Sequence, residues 1–319
     1  MHGDRDGHLG ITDIPGLRVG QMSNEQAKTG CTVIIGPNQG FVAGVDVRGS
    51  AAGTRGLDIL RPTSRIDRIH AICLCGGSGF GLGAVDGVMR YLAERGIGLD
   101  RGVATVPIVS AAVIFDLAFG LPLYPTPEDG YSACVAGEAA ASVTEGSVGV
   151  GTGATVGKVW GMSHAMKGGV GTGGIRLPSG AIVAALVVTN AFGDIYDRQG
   201  RIVAGAKRTD GEFVDTCRAF LTGDQTSVIE PMDNTCLAVI ATDASLTKAE
   251  CQKVAELGHD AFAIAIRPVH TLYDGDTIFA ASLGSLREDP VAIGVAAVEA
   301  LRQAIARSVG SVGDRADAC

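Results

Sequence analysis

Short apolar runs bounded by glycine or proline dominate the first half of the chain. Their β-branched and apolar side chains predict strands at residues 32–35, 41–47 and Ala71–Cys75. Residues 85–95 then carry apolar side chains at helical spacing, which predicts an amphipathic helix. A second helix, rich in small residues, is predicted at 131–143, before a glycine-rich passage at 146–157.

A polar stretch at residues 201–231 interrupts the second half of the chain and is predicted to be an exposed connector, because it shows no clear periodicity. Apolar runs on either side of it predict strands at residues 181–188, 237–241 and 277–282. A helix with a capping box at its start is predicted from about Leu246, and another over residues 291–308, opened by Pro290. The strands and helices do not alternate strictly along the chain, and this order favours a layered fold of the α+β class over a doubly wound sheet.

The composition indicates a compact globular protein. Of 319 residues, 46% are hydrophobic, 19% are charged and 47 are glycine, and no repeat or charged linker divides them. A single domain over residues 1–319 is therefore expected. The net charge of −8 argues against a nucleic-acid partner, because phosphate binding needs a basic face.

Features of targeting and redox chemistry favour a cytoplasmic protein that does not cross a membrane. The apolar run at 181–188 is too short to span a bilayer, and residues 1–7 lack the basic start and apolar run of a signal peptide. Eight cysteines at irregular spacings are expected to be free thiols in a reducing compartment. Neither a cofactor nor a metal is expected, since the six histidines show no metal-binding motif.

The junction between the polar connector and the next strand can carry chemistry. It reads EPMDNTCLAVI over residues 230–240, so the hydroxyl of Thr235 lies one residue from the Asn234 carbonyl. An N-to-O acyl shift there passes through a five-membered ring, and hydrolysis of the ester leaves Thr235 as a new N-terminus. Its α-amine, with a reference pKa of about 7.7–8.0, can then act as base for its own hydroxyl. By local sequence alone, a threonine that opens a strand is more often just a good strand former.

Four segments in a consistent order resemble the DmpA-like family, which comprises L-aminopeptidases/D-esterases, β-peptidyl aminopeptidases and nylon-oligomer hydrolases. They are VDVRGSAAGTR at 45–55, ICLCGGSGFGL at 72–82, NT at 234–235 with ATDA at 241–244, and VHT at 269–271 with DGDTIFA at 274–280. The match runs from about Thr12 to Ala304. This resemblance implies a four-layer αββα sandwich, autoproteolysis into an α chain (1–234) and a β chain (235–319), and assembly of such αβ pairs into a homo-oligomer.

The resemblance also implies roles for individual residues. Thr235 matches the family's nucleophile, and the side-chain amide of Asn190 would stabilise the oxyanion or orient the nucleophile. Lys158 matches a lysine that lies close to the threonine in the nylon-oligomer branch. Asp274 and Asp276 would complete the hydrogen-bond network around the nucleophile. Without the family, these four supporting residues read as turn formers and a surface lysine.

One position departs from the family pattern. Phe115 stands where well-studied members have a tyrosine, and a phenylalanine side chain cannot donate a hydrogen bond to an oxyanion. Any tyrosine contribution is therefore absent, and the donors would have to be Asn190 and backbone amides.

Other motifs in the sequence point to different functions only weakly. The glycine-rich segments at 76–83 and 149–153 resemble nucleotide-binding loops only weakly, since the first fits the fingerprint with alanine in third place. Cys73 and Cys75 have neither redox nor zinc spacing and are expected in the core. His270 is the only histidine inside a matched segment, and a structural role is expected for it.

Three classes of function follow. The leading one is amide hydrolysis on a peptide or small amide substrate, either as an aminopeptidase or as an endo-type hydrolase of linear amide oligomers. Lys158 and the Asn234-Thr235 junction favour the nylon-oligomer branch slightly. The alternatives are an acyltransferase that uses the same nucleophile and an unprocessed binding protein without catalytic activity.

Overall fold

The computed structural model describes residues 8–224 and 234–310. Two five-stranded sheets dominate it. The first has the strand order β1-β2-β5-β8-β4 and consists of β1 (Arg18–Asn24), β2 (Thr29–Ile35), β4 (Thr54–Arg55), β5 (Ala71–Cys75) and β8 (Val109–Val113). The second has the order β11-β12-β15-β17-β3 and consists of β3 (Val42–Val47), β11 (Gly169–Arg176), β12 (Ile182–Thr189), β15 (Leu237–Ala244) and β17 (Thr277–Leu286).

Shorter elements complete the chain. Two-residue and three-residue strands form small ribbons at β6 (Leu99–Asp100), β7 (Thr105–Val106), β9 (Thr155–Val156), β10 (Met166–Lys167), β13 (Asp194–Tyr196), β14 (Ile202–Ala204) and β16 (Ile266–Arg267). The α-helices are α1 (Ser78–Gly81), α2 (Ala84–Glu94), α3 (Pro127–Ala139), α4 (Thr216–Thr222), α5 (Lys248–Ala265) and α6 (Pro290–Ser308). Single 3₁₀ turns lie at Ile11–Asp13, Asp58–Leu60, Gly149–Thr152 and Met162–His164.

Alternating side chains along the strands build a sandwich of four layers. In β15, Leu237 and Val239 face a core shared with the first sheet, whereas Ala238 and Ile240 face α5 and α6. A third apolar cluster joins the outer face of the first sheet to α2 and α3. The order helices, sheet, sheet, helices is the predicted αββα sandwich, and the prediction of the fold is confirmed.

The longest helices begin where local signals place them. Thr247 accepts a hydrogen bond from the Glu250 amide and the Glu250 side chain returns to the Thr247 amide, as the predicted capping box requires. Asp289 caps α6 through the Val291 amide, and Pro290 occupies its first turn. Both helices then lay apolar faces on the second sheet.

Helix α3 begins earlier than the predicted 131–143. It starts at Pro127, because Thr126 and Asp129 form a reciprocal cap. The prediction rested on the run of small residues and did not take this cap into account. The helix ends at Ala139, so the last four residues of the predicted range are not helical.

The predicted connector at 201–231 is partly ordered structure. It contains β14 and helix α4, whose first turn is capped by the side chain of Asp215. Residues 225–231 of that prediction lie outside the described residues, as do residues 1–7 and Cys319. The other seven cysteines are free thiols, and the Sγ atoms of Cys73 and Cys75 lie 3.3 Å apart in the core.

Candidate active site

Three neighbouring strands of the second sheet bring the predicted residues to one edge. β12 runs antiparallel to β15, with Val188 opposite Leu237, and β17 runs parallel to β15. The end of β12 therefore meets the starts of β15 and β17. Asn190 follows β12, Thr235 precedes β15, and Asp276 directly precedes β17.

The peptide bond between Asn234 and Thr235 is fixed on both sides. The Thr235 Oγ1 donates to the Asn234 carbonyl oxygen at 2.5 Å, and the Gly275 amide donates to the same oxygen at 2.8 Å. The Thr235 amide donates to the Asn190 carbonyl at 3.0 Å, and the Asn234 amide donates to the Tyr273 carbonyl at 2.7 Å. The hydroxyl and a backbone donor thus converge on one carbonyl group inside the protein, where Thr235 is 2% exposed.

Lys158 is buried beside this junction and is not a surface lysine. Its Nζ donates to Oδ1 of Asn234 at 2.7 Å and to Oδ1 of Asn190 at 3.0 Å. Burial lowers the pKa of Lys158 to about 7, against the opposing attraction of nearby acidic groups that include Asp274. The amine is therefore a group that can exchange a proton near neutral pH.

The side chain of Asn190 is oriented by three contacts. Its Oδ1 accepts from the Thr155 amide at 3.0 Å as well as from Lys158, and its Nδ2 donates to the Phe115 carbonyl at 3.1 Å. One hydrogen of this amide is thus used by the Phe115 carbonyl, while the donors on the Asn234 carbonyl are the Gly275 amide and the Thr235 hydroxyl. Sequence reasoning did not single out Gly275, because a backbone amide carries no residue-specific signal.

Asp274 and Asp276 are both buried and do not form a solvated turn. Oδ2 of Asp274 accepts from the Thr271 hydroxyl at 2.6 Å and from the Thr271 amide at 2.8 Å. Oδ1 of Asp276 accepts from the Cys236 amide at 2.8 Å, next to Thr235. Burial, together with the charge of Asp276, raises the pKa of Asp274 to about 6.

His270 completes the contacts of Asp276. Its Nδ1 lies 2.7 Å from Oδ2 of Asp276, and its backbone amide donates to the same oxygen at 3.2 Å. The only signal for this contact in the sequence was the position of His270 six residues before Asp276 inside a matched segment.

Two hollows adjoin the junction. A narrow cleft reaches Lys158 from one side and is lined by Phe115, Asp116, Ala118, Phe119, Thr155, Lys158 and Met162. A wider apolar hollow of about 430 Å³ lies beside the Asp274 loop and is lined by Phe192, Cys217, Phe220, Leu221, Pro268, Thr271, Leu272 and Tyr273. The wider one has the volume of a small-molecule site, whereas the narrow cleft, at about 10 Å³, has room for about one water molecule.

The nucleotide-binding reading finds no support in the first glycine-rich segment. The Gly77 amide at the start of α1 donates to Oδ1 of Asp116 at 2.7 Å. The Asp116 carboxylate therefore occupies the position in which a nucleotide phosphate would bind to this amide. Within residues 8–224 and 234–310, no group of three or more candidate ligands could hold a metal ion. No helix of the same residues is long and apolar enough to cross a membrane.

Comparison with known proteins places this chain in a family. The sequence pattern of peptidase family S58 matches residues 10–313, nearly the whole chain. The chain belongs to peptidase family S58. The resemblance to the DmpA-like enzymes is thereby confirmed.

Relatives in sequence are amide hydrolases by name. The chain is 40% identical to an uncharacterized aminopeptidase of Mycobacterium bovis, over 94% of this chain and 93% of the relative. It is 34% identical to the 6-aminohexanoate-oligomer endohydrolase of Paenarthrobacter ureafaciens, over 92% of this chain and 84% of the relative. This S58 protein is therefore a hydrolase that acts on amide bonds.

Solved structures share the fold of this S58 protein. A β-aminopeptidase from Burkholderia sp. aligns with a TM-score of 0.69 at 22% identity, covering 97% of this chain and 87% of the other. The L-aminopeptidase D-Ala-esterase/amidase of Ochrobactrum anthropi, described as a new variant of the Ntn hydrolase fold, aligns with a TM-score of 0.68 at 18% identity over the same fractions.

Proposed function

We propose that this protein is a self-cleaving amide hydrolase whose nucleophile is Thr235. The single hydrolase domain of residues 1–319 is cut after Asn234, which gives an α chain of residues 1–234 and a β chain of residues 235–319. The observation that carries the proposal is the geometry of one carbonyl group. The Asn234 carbonyl oxygen accepts hydrogen bonds from the Thr235 hydroxyl at 2.5 Å and from the Gly275 amide at 2.8 Å.

In the processing step, Lys158 takes the proton from the Thr235 hydroxyl, and Oγ1 attacks the Asn234 carbonyl carbon. The oxygen of that carbonyl gains negative charge while it holds the Gly275 amide, which is the placement required of an oxyanion donor. The C–N bond then breaks, and the proton passes to the departing Thr235 nitrogen. Water hydrolyses the resulting ester, leaving an Asn234 carboxylate and a free Thr235 hydroxyl and amine.

Lys158 is suited to this role because it contacts the residue before the scissile bond. Its Nζ lies 2.7 Å from Oδ1 of Asn234, and burial lowers its pKa to about 7. A neutral amine is therefore present near neutral pH, before any free α-amine exists. Asn190 supports Lys158 through its Oδ1 and holds the Thr235 amide through its carbonyl, so we assign it a positioning role.

In the mature enzyme, the freed α-amine of Thr235 removes the proton from its own hydroxyl. Oγ1 attacks the substrate carbonyl, the amine product leaves, and water cleaves the acyl-enzyme. Asp276 contributes by holding the Cys236 amide, which fixes the start of the strand that carries the nucleophile. Asp274 keeps a second negative charge near Lys158 when it is ionised, and this charge opposes the loss of the lysine's proton.

The substrate is proposed to be a small peptide or a linear amide. Relatives in sequence are named for aminopeptidase and oligomer-endohydrolase activity. The apolar hollow beside the Asp274 loop would accept aliphatic or aromatic groups next to the reacting carbonyl. We further propose that αβ pairs assemble into a homo-oligomer. The buried free thiols favour a reducing cytoplasm as its location.

The test is to trap the acyl-enzyme. Purified protein is mixed with a chromogenic ester or anilide of a small amino acid, quenched in acid within a turnover, and weighed by mass spectrometry. The expected adduct lies on the 85-residue chain that begins at Thr235, and an added amine acceptor shows whether transfer competes with hydrolysis. Turnover of the substrate with an adduct on another residue would contradict the proposal.

A further inference from the structure

Asn234, the residue before the scissile bond, is enclosed by the protein and bonded through both its backbone and its side chain. Its amide donates to the Tyr273 carbonyl at 2.7 Å, and its carbonyl oxygen accepts from the Gly275 amide at 2.8 Å. These two bonds form a parallel β-bridge between Asn234 and Asp274. The side-chain Oδ1 accepts from Nζ of Lys158 at 2.7 Å. With 0% of its surface exposed, Asn234 fills a closely packed pocket of its own size.

The proposed self-cleavage and the proposed turnover pass through the same kind of ester. In self-cleavage, the C–N bond after Asn234 breaks as its acyl group moves to Oγ1 of Thr235. In turnover, the substrate's C–N bond breaks, the amine product takes up the proton, and the substrate's acyl group is joined to the same oxygen. Water then hydrolyses either ester. The two acyl groups are therefore attached to one atom, and one donor, the Gly275 amide, serves both carbonyl oxygens.

We propose that the pocket of Asn234 is the acyl subsite of the mature enzyme, and that it selects asparaginyl amides, whose side-chain carbonyl replaces Oδ1 of Asn234 on Lys158. The inference rests on the proposed function, because it takes the ester at Thr235 as the species common to both reactions. It goes further by naming the side chain that the substrate carries. The nitrogen of Asn234 belongs to a peptide bond, so an acyl residue inside a chain also fits the pocket.

Lys158 is the origin of this selection. Its Nζ donates to Oδ1 of Asn190 and to Oδ1 of Asn234, and only the second acceptor is displaced when a substrate binds. A leucyl side chain has nearly the shape of an asparaginyl one but offers no acceptor. Nζ would then lose a hydrogen bond inside the protein, where Lys158 is 5% exposed. A buried donor left without its partner costs roughly ten- to a hundred-fold in binding.

The backbone at Tyr273 adds a second requirement. Its carbonyl accepts the amide of Asn234, so a substrate needs an N–H on the carbon next to its reacting carbonyl. An α-amino acid has this group, whereas a linear ω-amino acid carries its nitrogen at the far end of the chain. The pocket therefore favours α-aminoacyl amides. The apolar hollow is lined by Tyr273 and not by Lys158, and it is available to other parts of the substrate.

The experiment compares matched substrates on the purified wild-type protein. The probes are the para-nitroanilides of L-asparagine and L-leucine, each with a free and with an acetylated amine. In whichever form is hydrolysed, kcat/KM for asparagine is expected to exceed that for leucine roughly ten- to a hundred-fold. The succinamoyl anilide, which is the asparagine anilide without its α-nitrogen, is expected to be roughly two- to ten-fold poorer than the asparagine anilide, because it cannot donate to the Tyr273 carbonyl.

Lys158→Met tests the residue that recognises the side chain. Because this variant is not expected to cut itself, it is made from co-expressed chains 1–234 and Met-initiated 235–319, beside a wild-type pair. The preference for asparagine over leucine is expected to disappear. The matched control is Lys167→Met, which removes a half-buried amine bonded to three backbone carbonyls and should keep the preference. If the variant pair does not assemble, the comparison of substrates on the wild type decides the matter.

A kcat/KM for leucine equal to or above that for asparagine, or a preference for asparagine that Lys158→Met retains, would overturn the inference. The mass of the acid-quenched protein separates this failure from that of the proposed function. An acyl group on Thr235 without any preference for asparagine refutes the inference alone. Hydrolysis with no acyl group on Thr235 refutes the proposed function, and the inference with it.

Discussion

Lys158 should set the pH at which the chain cuts itself. The perturbation is Lys158→Met, which keeps the length and apolar stem of the side chain but removes the amine. Because the proposed base is the neutral amine, we expect processing in the wild type to rise with pH up to about 7 and then to level off. Lys158→Met should process at least a hundred-fold more slowly at pH 7 and above, the scale of losing a general base, and the difference should shrink at lower pH.

The size of the effect follows from burial. The pKa of Lys158 is lowered from 10.5 to about 7, a change of roughly three and a half units. An ordinary lysine would be neutral in about one molecule in 3,000 at pH 7, whereas this one is neutral in about half of them. Burial therefore supplies roughly three orders of magnitude in the concentration of the base. An anionic neighbour would reverse part of that gain.

The assay is cell-free synthesis of labelled chain at low pH, followed by a jump to a series of pH values. The appearance of the two product chains, of 234 and 85 residues, is followed over time on gels. Asn190→Asp is the matched control, because a carboxylate near Nζ should move the rise to higher pH by at least one unit without removing the amine. A rate that does not change between pH 5 and 9, or wild-type processing in Lys158→Met, would refute the reasoning.

Three further predictions concern the groups around the junction. Thr235→Ala should abolish processing and turnover on gels and in amide assays, while Thr235→Ser should keep part of both, because the hydroxyl remains. Asn190→Ala should slow processing and turnover roughly ten- to a hundred-fold, the scale of one hydrogen bond to a charged group, because Lys158 loses the Oδ1 that holds its amine. A near-neutral effect at Asn190 would remove its positioning role. Phe115→Tyr, which adds a hydroxyl donor, should leave turnover unchanged or faster. Asp276→Ala should slow both processing and hydrolysis by the co-expressed chains 1–234 and Met-initiated 235–319, because both reactions need the start of β15 that Asp276 holds through the Cys236 amide; wild-type rates in either assay would contradict this.

The strands that build the site could be predicted from the sequence because they are buried on both faces. Ile182–Thr189 and Leu237–Ala244 are nearly continuous apolar runs with no polar face, as central strands between two layers require. The two runs were recognisable without any alternation of polar and apolar residues.

Strand β11 was missed for a physical reason. Its sequence GVGTGGIR carries four glycines, which local propensity excludes from a strand interior. Helix α6 packs directly on this strand: a Cβ added at Gly171 would lie 2.0 Å from the Ala304 carbonyl oxygen, and one at Gly173 would lie 2.5 Å from that of Ala300. The glycines are required by a tertiary contact that no local pattern contains.

The residues around the junction could be named from the resemblance, but their contacts could not. The sequence does not reveal that Nδ2 of Asn190 is used by the Phe115 carbonyl, or that Lys158 reaches Asn234. These pairs are separated by 75 and 76 residues. Phe115 follows β8 of the first sheet and Lys158 follows β9, and both contact the place where β12 ends and β15 begins.

The most direct test of the account is the intact mass of the purified protein, with N-terminal sequencing of its smaller component. The account predicts two chains of 234 and 85 residues in equal amounts, the smaller beginning Thr-Cys-Leu-Ala. A single chain of 319 residues that hydrolyses amides at full rate would contradict it, because Thr235 would then have no free α-amine.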